Sequence, residues 1–459
     1  MPAGPLACAH LTLKPGIAGY LFQTVARLAA LVRPRRVHVA RLPARPAQPG
    51  ISLVIPSRNG KELLAAQLPG IARELAVEAQ IIVVDNGSQD GTAEWLRTTW
   101  PRVEVEVSEA PLSFAEAVNR GIGRARHSQI CLLNNDMLLD ADFFTALAHA
   151  FGIVPDLFCA TAQIRFPEGV RREETGKAVM AQSAPEDFPV RCDEPIVGED
   201  LTYVLYGSGG CSLYDAAKLR ALGGIDESYA PAYVEDLDLG YRAWQRGWPS
   251  VYVAGAVVEH RHRATTSRYY TAEQLETILE RNYLKFLARA VFDSSLFRRL
   301  WAQATSRLRR KAAHQHLREA VRIALTGGPV VRPQWSEALI LALTNGTVFV
   351  FPGRAPTGRT RVLIASPDLQ RCAATEFDQV LVAFSVDIAA PPAQVLDACV
   401  EVVLVRSTGG DSSLSFRAAL QQTIRKWQPV TARLVSKQMA QYQADCAPAR
   451  TMVVDDEAI

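Results

Sequence analysis

The first 50 residues of this 459-residue chain contain no aspartate or glutamate, against seven lysines and arginines. Arg298 to Arg332 is nearly as poor in acids, with nine basic residues and Glu319 alone. A formal net charge of +3 conceals this local bias. Such basic runs are either solvated surface or sites that attract anionic lipid or a polyanion. The eight cysteines contain no Cys-x-x-Cys pair, the closest two being Cys192 and Cys211. Neither a zinc site nor a disulfide framework is indicated, and a reducing cytoplasm fits. No apolar run is long enough to cross a bilayer. The longest candidate, Ile17 to Val32, is broken by Gln23 and Arg27. It is not laid out as a signal peptide either, because its basic cluster Arg33 to Arg36 follows the apolar part. It reads as one helix, lying on a surface or packed on the next domain. A cytoplasmic protein, peripheral on the inner face of the membrane, is the expectation, with no nucleic-acid partner.

What is present is an alternation of strands and helices. Ala40 to Gly50, with three prolines, reads as a linker. Ile51–Ile55 is a short apolar run, expected as a buried strand, and it stops at Pro56-Ser57-Arg58-Asn59-Gly60. Lys61–Leu75 has helical spacing. Ile81–Val84 is a second strand, stopped by "DNGSQDGT". Ala93–Trp100 is a helix, Val103–Val107 a strand, Phe114–Arg126 a helix and Ile130–Leu133 a fourth strand. This pattern predicts a doubly wound parallel sheet, where ligands collect at the carboxyl ends of the strands. The polar loops after Ile55, Val84 and Leu133 all fall on that edge, which favours a nucleotide or phosphate site. Further along, Asp236–Gln245 reads as a helix with acids in its first turn, as the helix dipole prefers. Gly247 is its expected C-cap, and Val251–Val258 a strand leading to Glu259 and His260. Thr271–Arg322 reads as largely helical.

Several side chains suit transfer of a sugar from a nucleotide diphosphate. That chemistry needs a pocket for base and ribose, neutralisation of the leaving diphosphate, and a base for the acceptor hydroxyl. Asp85 could accept hydrogen bonds from base or ribose beside the turn Asn86-Gly87-Ser88, although an Asx-turn alone explains Asn86. Asp136 could hold a divalent cation bridging the diphosphate, or cap a helix from Ala141 onward. His260 could be a second ligand or an ordinary histidine. Glu235, Asp236 and Asp238 offer a carboxylate base, or merely decorate a helix start.

From Ile51 to about Ala290 the order and chemistry of these segments resemble family 2 glycosyltransferases of the GT-A fold. The matching stretches are "VIPSRNG", "IIVVDNGSQDGT", "LSFAEAVNRGIGRARHSQICLLNND", "GGCSLYDAAKLRALGGIDE", "YVEDLDLGYRAWQRGW" and "AGAVVEH". The resemblance implies a doubly wound mixed sheet and an inverting transfer from a nucleotide-diphosphate sugar to a saccharide or lipid-linked hydroxyl. It implies that Asp236, with Glu235 beside it, is the general base. It places Pro56, Ser57, Arg58, Asn59, Asp85, Asn86, Ser88, Asn119, Asn134, Asn135, Gly209 and Gly210 at the donor. Asp136 and His260 match the residues that hold a divalent cation, Mn²⁺ or Mg²⁺. The family's metal motif is often Asp-x-Asp, and here Asn134 stands at its first acid. Asn-Asn-Asp resembles the rhamnosyltransferase-like branch of polysaccharide assembly, and one carboxylate should hold a bare cation weakly. A histidine ligand tilts the choice toward Mn²⁺.

From Thr360 the alternation begins again. "RVLIASPDL", "FDQVLVAF", "VEVVLVR" and "TMVVDDEAI" read as strands, with helices at Phe416–Trp427 and Val435–Tyr442. This half resembles the start of a family 4 GT-B glycosyltransferase, but "DLQRCAATEF" is too short for that family's glycine-rich loop and helix. The expected organisation is a basic helix and linker (1–50), a GT-A domain (51–290), a basic helical connector (291–357) and a partial, non-catalytic Rossmann-like unit (358–459). Acceptor specificity is expected in Phe166–Asp200. The rival readings are a sugar nucleotidyltransferase, for which "PSRNGKE" is a poor phosphate loop, and a non-catalytic nucleotide-sugar-binding scaffold.

Overall fold

The computed structural model of the chain describes residues 15–34, 47–76, 78–154, 156–165, 201–260, 269–311 and 313–328, isolated positions between 333 and 344, and the backbone of six further strands. Strands β1 (Gln48–Ser57), β2 (Gln80–Asn86), β3 (Val103–Ser108) and β4 (His127–Leu133) run parallel in the spatial order β3-β2-β1-β4. Helices α2 (Lys61–Glu74), α3 (Thr92–Thr99) and α4 (Phe114–Arg124) connect them. β1 is apolar at consecutive positions because both its faces are covered. Leu53 and Ile55 pack with Leu64, Leu68 and Ile71 on one side, and Val54 packs with Ile82, Val84 and Val118 on the other. Helix α4 starts at a capping box, in which Ser113 and Glu116 each satisfy the other's backbone N–H.

Beyond β4 the sheet changes direction. After β5 (Met137–Leu139) and α5 (Phe143–Ile153) comes β6 (Cys159–Arg165), and β10 (Cys211–Asp215) inserts between β4 and β6, antiparallel to both. Helices α6 (Ala216–Ala221) and α7 (Glu235–Trp244) follow. β11 (Ser250–His260) lies parallel to β6 and antiparallel to β5 and to β9 (Thr202–Val204). The result is a nine-stranded mixed sheet, the doubly wound GT-A class that the resemblance implied. Glu259 and His260 are the last residues of β11 rather than a loop after it. Within 166–200, β7 (Thr175–Ala178) and β8 (Val190–Asp193) form an antiparallel pair, and the remainder lies outside the described residues.

The helical stretch after Thr271 is three helices, α8 (Ala272–Ala290), α9 (Ser294–Arg310) and α10 (His314–Thr326). Trp301, Leu308 and Leu317 join Leu284 and Phe286 in the core that also covers one face of the sheet. The basic segment therefore folds onto the domain. The N-terminal helix α1 (Pro15–Leu31) packs on α9 and α10. Near the C-terminus, β12 (Leu363–Ile364), β13 (Val382–Phe384), β14 (Glu401–Arg406) and β15 (Arg450–Val454) form a separate four-stranded parallel sheet at the segments expected to be strands. The helices expected at 416–427 and 435–442 lie outside the described residues.

Candidate active site

At the carboxyl edge of the sheet is a cavity of about 490 Å³. Its walls gather distant stretches of chain: Pro56 and Ser57 ending β1 with Arg58 after them, Asn86 ending β2, and Asn134, Asn135 and Asp136 after β4. Asp236 from α7, His260 from β11 and the pair Tyr269 and Tyr270 before α8 complete it. This is the edge where a doubly wound sheet collects ligands, since the loops diverge there.

The turn after β4 presents one carboxylate to one imidazole. The Asn134 N–H donates to the Gly210 carbonyl at 2.8 Å, and Gln67 Nε2 donates to the carbonyls of Asn134 and Met137 at 2.6 and 2.7 Å. A side chain at Gly210 would meet the Asn134 side chain, its Cβ falling 2.4 Å from Nδ2, so a larger residue there would push Asn134 out of this position. The three residues of β5 then pair with the end of β11, setting His260 opposite Met137. Asp136 Oδ1 lies 3.4 Å from His260 Nε2, is buried, and accepts no hydrogen bond among the described residues. It does not cap a helix: α5 begins at Phe143 behind Asp142. A buried carboxylate oxygen without a donor is costly unless something else meets it. An oxygen and a nitrogen at this separation suit two ligands of one divalent cation, and they are the acid and the histidine expected from the sequence. No cluster of three or more acidic, histidine or cysteine ligands occurs among the described residues, so the remaining ligands must come from elsewhere.

The donor-side residues divide into those that face the cavity and those that build its wall. Arg58 stacks on the Tyr269 ring, 4.1 Å from its centroid. Asn59, in the left-handed region at φ 48°, donates to the Tyr269 hydroxyl at 3.0 Å and accepts from the Gln89 N–H at 2.7 Å. The Ser88 hydroxyl accepts from the Asn59 N–H at 2.8 Å, and the buried Asp85 carboxylate accepts from the Ser88 N–H at 3.2 Å. Asn86 holds the Leu112 backbone through both amide atoms, at 2.6 and 3.1 Å. Asn135 donates to Ser57 Oγ at 2.9 Å. Asn119 is not on the cavity wall; it ties α4 to Ile225 and Glu227. Gly209 lies against Asp236 and Phe114, and an added Cβ would meet both at 3.6 Å.

The loop that delivers Asp236 is held from outside the motif. Tyr233 and Val234 have φ of 76° and 79°, a conformation that costs a β-branched residue energy and persists only where the surroundings impose it. Asn282 of α8 imposes it. It has no exposed surface, and its Nδ2 donates to the carbonyls of Tyr229, Ala232 and Tyr233 at 2.6, 2.9 and 3.0 Å. Asn282 and the tyrosines at 269 and 270 were not singled out from the sequence. A signal existed for Asn282, which sits among the apolar positions Leu275, Ile278 and Phe286 of α8, where a buried amide needs partners. Asn282→Ala should leave carbonyls unpaired at a cost of about 1–3 kcal/mol. It should lower the turnover number more than it weakens donor binding, because the loop carries Asp236. Thermal melts and steady-state kinetics check both effects, and an unchanged turnover number with a normal melt removes the positioning role.

The acids of α7 occupy three different environments. Asp236 faces the cavity, with Oδ1 accepting the Leu237 N–H at 2.8 Å. Asp238 is buried and committed, accepting from Arg242 Nε at 2.6 Å and from the Tyr229 hydroxyl at 3.1 Å. Glu235 is buried off the cavity wall, and its Oε2 takes no hydrogen bond among the described residues. Burial, then the neighbouring Asp236 charge, push the Glu235 carboxyl up to about 8. The shift favours a protonated Glu235, and of the acids in this turn Asp236 is the one that lines the cavity. In the unfolded chain Glu235 ionises near its ordinary value, so folded stability falls as pH rises from there toward the raised value. Glu235→Gln should match the parent near pH 5 and melt higher than the parent at pH 8. Melting curves across that range test the sign.

Residues 49–276 match the model of the family described as glycosyltransferase-like family 2. An N-acetylglucosaminyl-diphospho-decaprenol L-rhamnosyltransferase of Mycobacterium tuberculosis is 27% identical over 210 residues, covering 41% of this chain and 68% of that protein. The validoxylamine A glucosyltransferase of Streptomyces hygroscopicus subsp. limoneus is 26% identical over 243 residues, covering 48% of this chain and 53% of that one. A mannosyltransferase of Pyrobaculum calidifontis, solved with GDP-Man and Mn²⁺, superposes with a TM-score of 0.39 at 16% identity, over 68% of this chain and 86% of that chain. Among the described residues, no helix is long and apolar enough to cross a membrane. The motif order, the mixed sheet and the family match coincide on one stretch of chain: residues 49–276 form a glycosyltransferase-like family 2 domain.

Proposed function

We propose that the chain is an inverting glycosyltransferase that moves a sugar from a nucleotide-diphosphate donor to a hydroxyl of a saccharide or lipid-linked acceptor in polysaccharide synthesis. The observation that carries this reading is that Asp236 lines the same cavity as the Asp136–His260 pair, whose atoms are 3.4 Å apart. The two features are what the reaction needs at its two ends. Asp236 takes the proton from the acceptor hydroxyl as that oxygen attacks the anomeric carbon and the bond to the diphosphate breaks. Asp136 and His260 would hold a divalent cation, Mn²⁺ or Mg²⁺, which when bound neutralises charge on the departing diphosphate. Arg58 and Tyr269 form a stacked wall beside the donor loops, suited to a planar base. The mycobacterial relative's name specifies a diphospho-decaprenol acceptor, which supports a lipid-linked acceptor here. Residues 358–459 take no part in this chemistry.

Calorimetric titration with uridine, guanosine and thymidine diphosphates, with and without Mn²⁺, tests the reading. One nucleotide should bind, and Mn²⁺ should tighten it. Binding of none, in either condition, sinks the proposal. Asn134 gives a finer test, because it lines the cavity beside Asp136. Asn134→Asp should tighten the bare cation by adding ligand charge. It should not raise turnover, because the added charge opposes the diphosphate. Equal Mn²⁺ affinity in both proteins shows that Asn134 does not face the cation.

A further inference from the structure

Helix α1 is amphipathic in the wrong sense for a surface helix. The polar residues that interrupt its apolar run turn toward the protein. Gln23 is buried and donates to Ser306 Oγ at 3.0 Å, and Arg27 donates to the same oxygen at 2.7 Å and to the Ala302 carbonyl at 3.1 Å. The rest of the inward face is small, with Ala26, Ala29 and Ala30 buried. The outward face carries Ile17, Leu21, Val25, Leu28, Leu31 and Val32, with Leu28 58% and Leu31 62% exposed. At 100° per residue these positions share one face, interrupted only by Thr24, whose hydroxyl donates back to the Tyr20 carbonyl at 2.9 Å. Among the described residues ten large apolar side chains are exposed, and seven of them lie between Ile17 and Val32. A contiguous exposed apolar stripe marks an interaction surface.

Charge says what covers it. Arg309 of α9 stacks on Tyr20, 4.2 Å from the ring centroid, and Arg318 of α10 stacks on Phe22 at 4.6 Å. Tyr20 and Phe22 are about 200° apart around the helix, so an arginine flanks the stripe on each side. The three helices α1, α9 and α10 contain a single acid, Glu319, against eight arginines. An apolar face flanked by Arg309 on one side and Arg318 on the other matches a bilayer with anionic headgroups, in which leucines enter the acyl boundary and arginines meet phosphates. We infer that α1, with the flanking arginines of α9 and α10, seats the protein on the surface of an anionic membrane. The inference goes beyond the catalytic reading and does not depend on it.

Flotation of the full chain with vesicles of equal parts phosphatidylglycerol and phosphatidylcholine, against phosphatidylcholine alone, tests it without any measure of transfer. The protein should float with the anionic vesicles and be released at roughly 1 M salt, where the screening length falls to about 3 Å. Leu21→Glu with Leu28→Glu, both on the exposed face, should keep the parental melt and cut vesicle binding by more than roughly tenfold. Arg309→Glu with Arg318→Glu should abolish the preference for anionic lipid. Equal capture by neutral vesicles, no capture, or capture untouched by the leucine substitutions overturns the inference. So does lipid-free self-association that the leucine substitutions abolish in place of vesicle binding, because the face then belongs to a second copy. None of these failures bears on nucleotide binding at Asp136 or on Asp236.

Discussion

Asp236→Asn is expected to lower the rate of sugar transfer by roughly 10²–10⁴, the usual contribution of a positioned base, while donor binding stays near the parental value. The argument is geometric. Asp236 is the one acid of the α7 first turn that lines the cavity: Glu235 is buried off the wall and Asp238 is bound to Arg242 and Tyr229. Its Oδ1 accepts the Leu237 N–H, and the carbonyl oxygen of asparagine can keep that bond, so the helix start should survive. Only the charge and the ability to take a proton are lost. Single-turnover transfer and nucleotide titration, run on the same preparation, separate chemistry from binding. Transfer within tenfold of the parent would falsify the assignment. Asp238 cannot replace it without abandoning a buried ion pair, at a cost of several kcal/mol.

Asp136→Asn is expected to remove most of the cation dependence of donor binding and to slow transfer by roughly 10²–10³, the scale at which loss of one group stabilising developing charge is felt. The substitution is nearly isosteric. Oδ1 of Asp136 accepts no hydrogen bond among the described residues, so the fold loses little when its charge goes. A large functional loss with an unchanged melt then reports on the ligand and not on folding. His260 alone would hold the cation weakly, so Mn²⁺ should no longer tighten nucleotide binding. Calorimetry of the nucleotide across a Mn²⁺ series reads this directly. A parental cation response in the variant would show that the Asp136–His260 pair, 3.4 Å apart, is an ordinary buried contact.

Sequence alone determined the strands β1 to β4, the helices between them and the edge on which their polar loops meet. These are set by local rules: two-sided burial writes a continuous apolar run, and chain reversal after a parallel strand writes a polar loop. It also named Asp85, Asp136, Asp236 and His260, because the stretches that carry them have a recognisable order. Tertiary structure decided what each acid can do. Asp136 and His260 are 124 positions apart in the chain, and only the pairing of the three-residue strand β5 with the end of β11 brings them together. Glu235, Asp236 and Asp238 look alike as "EDLD", and only the fold shows that Asp236 lines the cavity, that Asp238 is paired with Arg242 and that Glu235 is buried with its carboxyl pKa raised. The support under the loop comes from Asn282, whose three carbonyl partners lie about 50 residues upstream. At Ile17–Val32 the local pattern gave the helix but not which face it buries. Gln23 and Arg27 interrupt the apolar run in sequence, and in the fold their side chains bond to α9 and leave the apolar face outside. Periodicity reports which residues share a face, but only packing decides which face is turned to the protein.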